Sequence, residues 1–157
     1  MILDKPHLFH TEISFDLLDP GMVVYHPNYL VLCDRARSAA LADVGYSIKN
    51  LWDDGFALAL RESKSEYYKP AMFSQAVTIV TVTKGCSRST LNVQQQMVPS
   101  EIFANQQVGN VAEVVATLDS KQVIYEVSML LVCVKLNPIR PSRLPDRLIH
   151  ALELPIN

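Results

Sequence analysis

A turn followed at once by a long amphipathic helix, within Asp16 to Arg37 (DLLDPGMVVYHPNYLVLCDRAR), constrains this chain more than any other stretch. In Asp19-Pro20-Gly21, proline at the second turn position fixes φ and glycine at the third tolerates a positive φ, so the chain must bend there. Val23-Val24-Tyr25 is a short apolar segment, and His26-Pro27-Asn28 reads as a helix entrance, because proline at the first helical positions loses an N–H that has no intrahelical acceptor anyway. Tyr29, Leu32, Cys33, Ala36, Ala40 and Val44 recur at three- and four-residue spacing, while Asp34, Arg35, Arg37 and Asp43 fall mostly elsewhere, so one face of the helix is apolar. Gly45 supplies the left-handed stop.

This arrangement has a chemical use. First-turn backbone N–H groups of a helix lack intrahelical partners and, with the helix dipole, favour negative charge. If the loop carrying Asp19 folds over the helix entrance, a carboxylate and an oxyanion donor face one carbonyl carbon, an arrangement suited to acyl transfer. The same three residues also serve as a plain turn, and pattern alone leaves both uses open.

Along the rest of the chain, a strand is expected from about Leu8 to Asp16, with Phe9, Ile13 and Phe15 on one face. A short helix runs from Ile48 to Asp54, capped by Ser47 and stopped by Gly55. Phe56 to Tyr68 reads as a long strand, its first half apolar on both faces as for a strand covered on two sides, its second half reaching water or a site with Arg61, Glu62, Lys64 and Glu66. Gln75 to Thr83 and Thr90 to Val98 form a hairpin about Lys84 to Arg88, with Cys86 in the turn. Val111 to Leu118 and Val123 to Val134 are expected as strands joined by Asp119-Ser120-Lys121. Pro138, Pro141 and Pro145 mark the exit from the sheet, before a short helix from Asp146 to Leu154. One early helix followed by hairpin-linked strands argues for an α+β layer, an antiparallel sheet folded around or against a central helix.

At this point the residues carry a resemblance. Asp19 through Tyr29 (DPGMVVYHPNY), followed by Asp34-Arg35-Ala36-Arg37, resembles the signature of the 4-hydroxybenzoyl-CoA thioesterase family of hotdog-fold enzymes, nearest its bacterial short acyl-CoA thioesterase branch. Arg61 to Pro70 (RESKSEYYKP) is similar to the family's second strand, and Leu130 to Pro145 to its last strand and proline-rich exit, so the likeness spans roughly residues 8 to 150. Two departures stand out: Met22 lies where the family usually has glycine, and Leu17 and Leu18 replace common polar residues. Residues 98–110 look like an insertion beside the fourth strand.

The resemblance implies a hotdog fold over 1–157 as a single domain, and hydrolysis of an acyl-CoA thioester in which Asp19 attacks the carbonyl or activates water. By the same resemblance, the backbone N–H of His26 is expected to polarise the carbonyl oxygen. It also implies a homodimer or homotetramer with sites between subunits. Tyr25 and Tyr29 are candidate pocket lining, Glu66 matches a recurrent family position, and Arg88, Ser89 and Thr90 lie where the family places nucleotide contacts. Lys84, Arg140 and Arg143 are further cations for coenzyme A phosphates. Coenzyme A is part of the substrate, and neither a cofactor nor a metal is expected. An aromatic branch, hydrolysing 1,4-dihydroxy-2-naphthoyl-CoA or 4-hydroxybenzoyl-CoA, and a non-catalytic acyl-CoA-binding hotdog protein are the alternatives. A hotdog dehydratase is not indicated, since its Asp-x-Asn-Pro-x-His type of signature is absent.

Charge and cysteine usage narrow the remaining classes. A formal net charge of −2 gives no electrostatic case for nucleic acid or an anionic membrane. No apolar run approaches spanning length and the first residues do not form a secretion signal, so a cytoplasmic location is expected. Cys33, Cys86 and Cys133 form no C-x-x-C pair, which argues against a disulfide framework or structural zinc.

Overall fold

The computed structural model describes residues 5–104 and 111–155. Its centre is α1 (His26–Asp43), which enters on Pro27 and ends in a Schellman motif: Tyr46 N–H donates to the Leu41 carbonyl and Gly45 N–H to that of Ala42, with Gly45 at φ 79°. A sheet curls beneath this helix. Its strands are β1 (His7–Glu12), β2 (Phe56–Tyr67), β3 (Ala76–Cys86), β4 (Thr90–Pro99) and β5 (Tyr125–Lys135), in the order β1-β3-β4-β5-β2, and the two-residue β6 (Arg140–Pro141) pairs with the end of β5. All pairings are antiparallel. The helix α2 (Ile48–Asp53) opens on a capping box, Ser47 with Asn50, as its sequence asked.

Alternation decides which side chains meet α1. Val77 and Ile79 of β3, Leu91, Val93 and Met97 of β4, and Tyr125, Val127, Met129, Leu131 and Cys133 of β5 point inward and are buried with Tyr29, Leu32, Cys33, Ala36 and Ala40 of the helix. Leu144, Leu148, Leu152 and Leu154, on and around α4 (Asp146–Ala151), complete that core. This is the α+β hotdog arrangement expected.

Four expectations need correction. The first strand stops at Glu12 instead of running to Asp16: Ile13 is pinned to the loop before β3 by its N–H on the Gln75 carbonyl and by Ser74 N–H on its own. The chain then turns through a 3-10 segment, Phe15–Leu17, so Phe15 is 67% exposed and stacks edge-on against Phe73. Residues Val111–Thr117 form a helix, α3, and no hairpin precedes β5. Their valines suggested a strand, but Val111, Val114, Val115 and Leu118 repeat at three and four, and that stripe lies on the outer face of β3 and β4 over Val80, Val82 and Val98. Of the expected insertion, 98–104 is the end of β4 and a 3-10 turn (Ser100–Phe103), and 105–110 lies outside the described residues.

The third correction concerns β2, which is not covered on both sides. It pairs with β5 alone, leaving its other edge open among the described residues, with Leu60 49% exposed. Last, Cys86 ends β3 opposite Leu91 and is not in the turn.

Candidate active site

The turn that carries Asp19 is built from its own backbone. Met22 N–H closes it on the Asp19 carbonyl at 3.0 Å, and Asp19 N–H donates to Val23 at 2.9 Å. The residue in the left-handed region is Met22, at φ 61°, not Gly21. That accounts for the departure from the family pattern, since the loop keeps a conformation suited to glycine and imposes it on methionine. Gly21 has a different task. Its N–H donates to Asp19 Oδ1 at 2.7 Å, and a Cβ there would stand 3.0 Å from the same oxygen. One carboxylate oxygen is thereby held by the turn's own backbone.

The turn is tied to the helix entrance. Leu18 bridges to Val24, and Tyr25 N–H donates to the Leu17 carbonyl at 2.9 Å, bringing the half-buried Asp19 back over the start of α1. His26 is the first helical residue, so its N–H belongs to the first-turn donors without intrahelical acceptors. Tyr25 lies edge-on to the His26 ring at 4.7 Å, and both are exposed.

Tyr29, one turn into the helix, is buried and forms a cluster with Tyr67 and Tyr125, ring centroids 4.9–5.4 Å apart. Its hydroxyl accepts the N–H of Ala71 at 3.0 Å. Burial raises its phenol above the usual value, against the Ala71 hydrogen bond, and Tyr67 and the Asp19 charge add to the rise. Tyr67 donates to the His26 carbonyl at 3.2 Å, and Ser65 and Tyr125 share a hydrogen bond at 2.8 Å. Tyr67 and Tyr125 were not singled out from the sequence; their opposition across β2 and β5 becomes visible only with the register in hand.

The other expected residues do not join Asp19 within one chain. Glu66 points to the outer face, opposite to Tyr67, where Lys64 meets it at 2.6 Å and Tyr68 at 2.5 Å. Its carboxyl is held low by those two partners. Ser87 to Thr90 form the β3–β4 turn, closed by a 2.7 Å bond between the Ser87 and Thr90 hydroxyls, at the far end of an 11-residue strand, about 33 Å from the Asp19 end. Arg88 gathers there with the exit segment: its carbonyl accepts Leu144 N–H, Ser89's accepts Cys133 N–H, and Arg140 pairs with Lys135. Arg88, Arg140 and Arg143 are thus exposed cations at one end of the sheet.

Beside that end, between α1 and the open strand β2, lies a cavity of about 330 Å³ walled by Leu41, Ile48, Leu58, Leu60 and Leu131 with Asp34, Arg37 and Ser38 on its rim. Arg37 is held by Gln95 Oε1 at 2.8 Å and by Asp34; the wholly buried Gln95 also donates to the Cys33 carbonyl and Thr81 hydroxyl, at 2.9 and 2.8 Å. Among the described residues no group of His, Cys, Asp and Glu is placed to hold a metal, and no helix is long and apolar enough to cross a membrane.

Comparison with known proteins agrees with this fold. The family model described as the thioesterase-like superfamily matches residues 13–152. The acyl-CoA thioester hydrolase YbgC of Escherichia coli is 25% identical over 138 residues, 88% of this chain and 89% of that protein. Among solved structures, a 1,4-dihydroxy-2-naphthoyl-CoA thioesterase from Synechocystis superposes with a TM-score of 0.75 at 18% identity, covering 94% of this chain and 96% of that one. A DHNA-CoA thioesterase from Staphylococcus aureus gives 0.73 at 19% identity, covering 90% and 82%.

Proposed function

The chain belongs to the thioesterase-like superfamily, and from that premise we propose that it hydrolyses an acyl-CoA thioester, with Asp19 as the reacting carboxylate and the His26 backbone N–H as oxyanion donor. The observation that carries this is the docking of the Asp19 turn onto the start of α1 through Leu18, Val24, Leu17 and Tyr25. The free oxygen of Asp19 either adds to the acyl carbon, giving an anhydride that water opens, or takes a proton from the water that adds. In both routes the C–S bond breaks, coenzyme A leaves as its thiol, and the developing oxyanion meets the first-turn donor.

The working unit is a dimer joined along the open edge of β2. A two-fold axis through the middle of that strand sets the Phe56 end of one subunit beside the Tyr67 end of the other. Tyr67 is bonded to His26, so the helix entrance and Asp19 of one subunit approach the Leu58 end of its partner. That end carries the 330 Å³ cavity and the Arg88, Arg140 and Arg143 cations. The cavity seats the acyl group, and the cations meet the coenzyme A phosphates. Apolar walls with an Asp34–Arg37–Ser38 rim fit a compact acyl group bearing a polar substituent, which favours the hydroxylated aryl branch over a long aliphatic chain.

Thiol release from short, long, benzoyl-type and naphthoyl-type acyl-CoAs tests the reaction, with loss of turnover but retained binding expected in Asp19→Asn. Mixing tests the shared site. Asp19→Asn subunits combined with Arg88→Ala/Arg140→Ala subunits restore one intact site per mixed dimer, so about half the wild-type rate per mixed dimer is expected. No recovery would place each site within one chain, and no turnover of any thioester would leave an acyl-CoA-binding protein. Single turnover in ¹⁸O water tests the anhydride route: an anhydride that water opens at the Asp19 carboxyl carbon sends an unlabelled Asp19 oxygen into the acid and leaves ¹⁸O in Asp19, whereas a general base leaves Asp19 unlabelled.

A further inference from the structure

We propose that Tyr29, assisted by Tyr67, is the positioning residue of this site, setting the height of the Asp19 turn above the helix entrance from inside the core. This rests on the thioesterase reading above. The connection is continuous in hydrogen bonds. Ala71 N–H donates to the Tyr29 hydroxyl at 3.0 Å, and the Ala71 carbonyl accepts Val24 N–H at 3.0 Å. Val23, bridged to Met72, accepts Asp19 N–H at 2.9 Å, and Gly21 N–H holds the Asp19 carboxylate at 2.7 Å. Residue 71 is fully buried, so its N–H has no water to turn to if the phenol is removed.

Tyr29 is also the right anchor mechanically. It sits on the longest helix, packs against Tyr67 and Tyr125, and is 3% exposed, so its ring is fixed by rings on two strands. Tyr67, from β2, holds the His26 carbonyl. One aromatic cluster therefore grips both halves of the site, the loop bearing the carboxylate through Ala71 and the helix entrance through His26. A substrate-lining role for Tyr29 does not account for this, because its hydroxyl is spent on the backbone of a loop 42 residues away in sequence.

Tyr29→Phe keeps the ring and removes the anchor. A kcat fall of roughly ten- to a hundredfold with KM within about twofold is expected, since a displacement of about 1 Å costs on the order of a hundredfold. Tyr46→Phe is the control: a buried phenol bonded to Asp54, away from the Asp19 turn, whose loss leaves kcat unchanged. In an Asp19→Asn background, Tyr29→Phe adds nothing to the residual rate, because it acts only through Asp19; a multiplied effect, or a rise in KM with kcat intact, overturns the proposal. Amide hydrogen exchange gives a readout independent of turnover: protection at Ala71 and Val24 drops in Tyr29→Phe, and unchanged protection refutes the anchor even if the protein hydrolyses no thioester. If Tyr29→Phe does not fold, Tyr67→Phe is used: faster exchange at Asn28 in the first turn of α1, with a smaller kcat loss at constant KM, upholds the shared grip, and unchanged kcat and exchange refute it.

Discussion

Gly21→Ala isolates the geometry of the Asp19 carboxylate from its charge. An added Cβ would stand 3.0 Å from Asp19 Oδ1, several tenths of an ångström inside comfortable contact. The backbone at Gly21 is not left-handed, so alanine brings no φ penalty, and the exposed position adds no burial. The clash is relieved by rotating the carboxylate, which stretches the 2.7 Å bond from Gly21 N–H. A hydrogen bond to a charged group is worth about 1.5–3 kcal/mol, but water replaces it here, so global stability should fall by no more than about 1 kcal/mol. The rate is less forgiving: a reacting oxygen displaced by about half an ångström should lose roughly tenfold in kcat, given that about 1 Å costs on the order of a hundredfold. Chemical denaturation and steady-state thioester hydrolysis on the same preparation separate the two effects. A variant with wild-type kcat would show that the carboxylate's held orientation is irrelevant to the chemistry. A loss of several kcal/mol in stability would show that the turn supports the fold.

Other substitutions carry opposite or independent signs. Met22→Gly removes the strain of φ 61° at a non-glycine residue, so a gain of roughly 0.5–1 kcal/mol in denaturant unfolding is expected, with activity retained. Gln95→Leu removes one acceptor from the partly buried Arg37, which keeps Asp34, and strips the donor from the Thr81 hydroxyl and the Cys33 carbonyl in the core, so a loss of about 1–3 kcal/mol is expected. Stability should also decline in alkali. Burial pushes the Cys33 thiol up to about 12, against the pull of Arg37, and the Cys133 thiol up to about 11. Both bind protons more tightly folded than unfolded, so their contribution is full below pH 9 and is lost as pH climbs through 11–12, at up to about 1.4 kcal/mol per pH unit per group. Cys33→Ala should flatten the fall.

The readable parts of the sequence were those where local chemistry and tertiary structure agree. The α1 helix, its proline entrance and its glycine stop, the Ser47 cap, and the β3–β4 hairpin follow from short-range patterns, and the structure keeps them. The α3 helix misled because valine favours strands, and only packing on the sheet selects the three-four stripe over alternation. Phe15 continues the alternating pattern of the first strand, whereas the bonds that end the strand come from residues 74 and 75, far away in sequence. The Asp19 turn and the helix start at His26 are legible because they adjoin in sequence. Gln95 and Tyr125 were not, since their partners lie 62 and 60 residues away on other elements.

The short helix α3 has none of its residues fully buried, yet it shields Val80, Val82 and Val98, which are almost inaccessible. Elements with few buried contacts open first, at free energies well below that of global unfolding. Each opening bares Val80, Val82 and Val98 on the outer face of β3 and β4, an apolar patch of β-branched residues, while Val77 and Ile79 stay packed on α1. Such a patch is what sticks copies together, so whether the protein stays dispersed under mild heating should depend on a seven-residue helix that takes no part in the Asp19 turn.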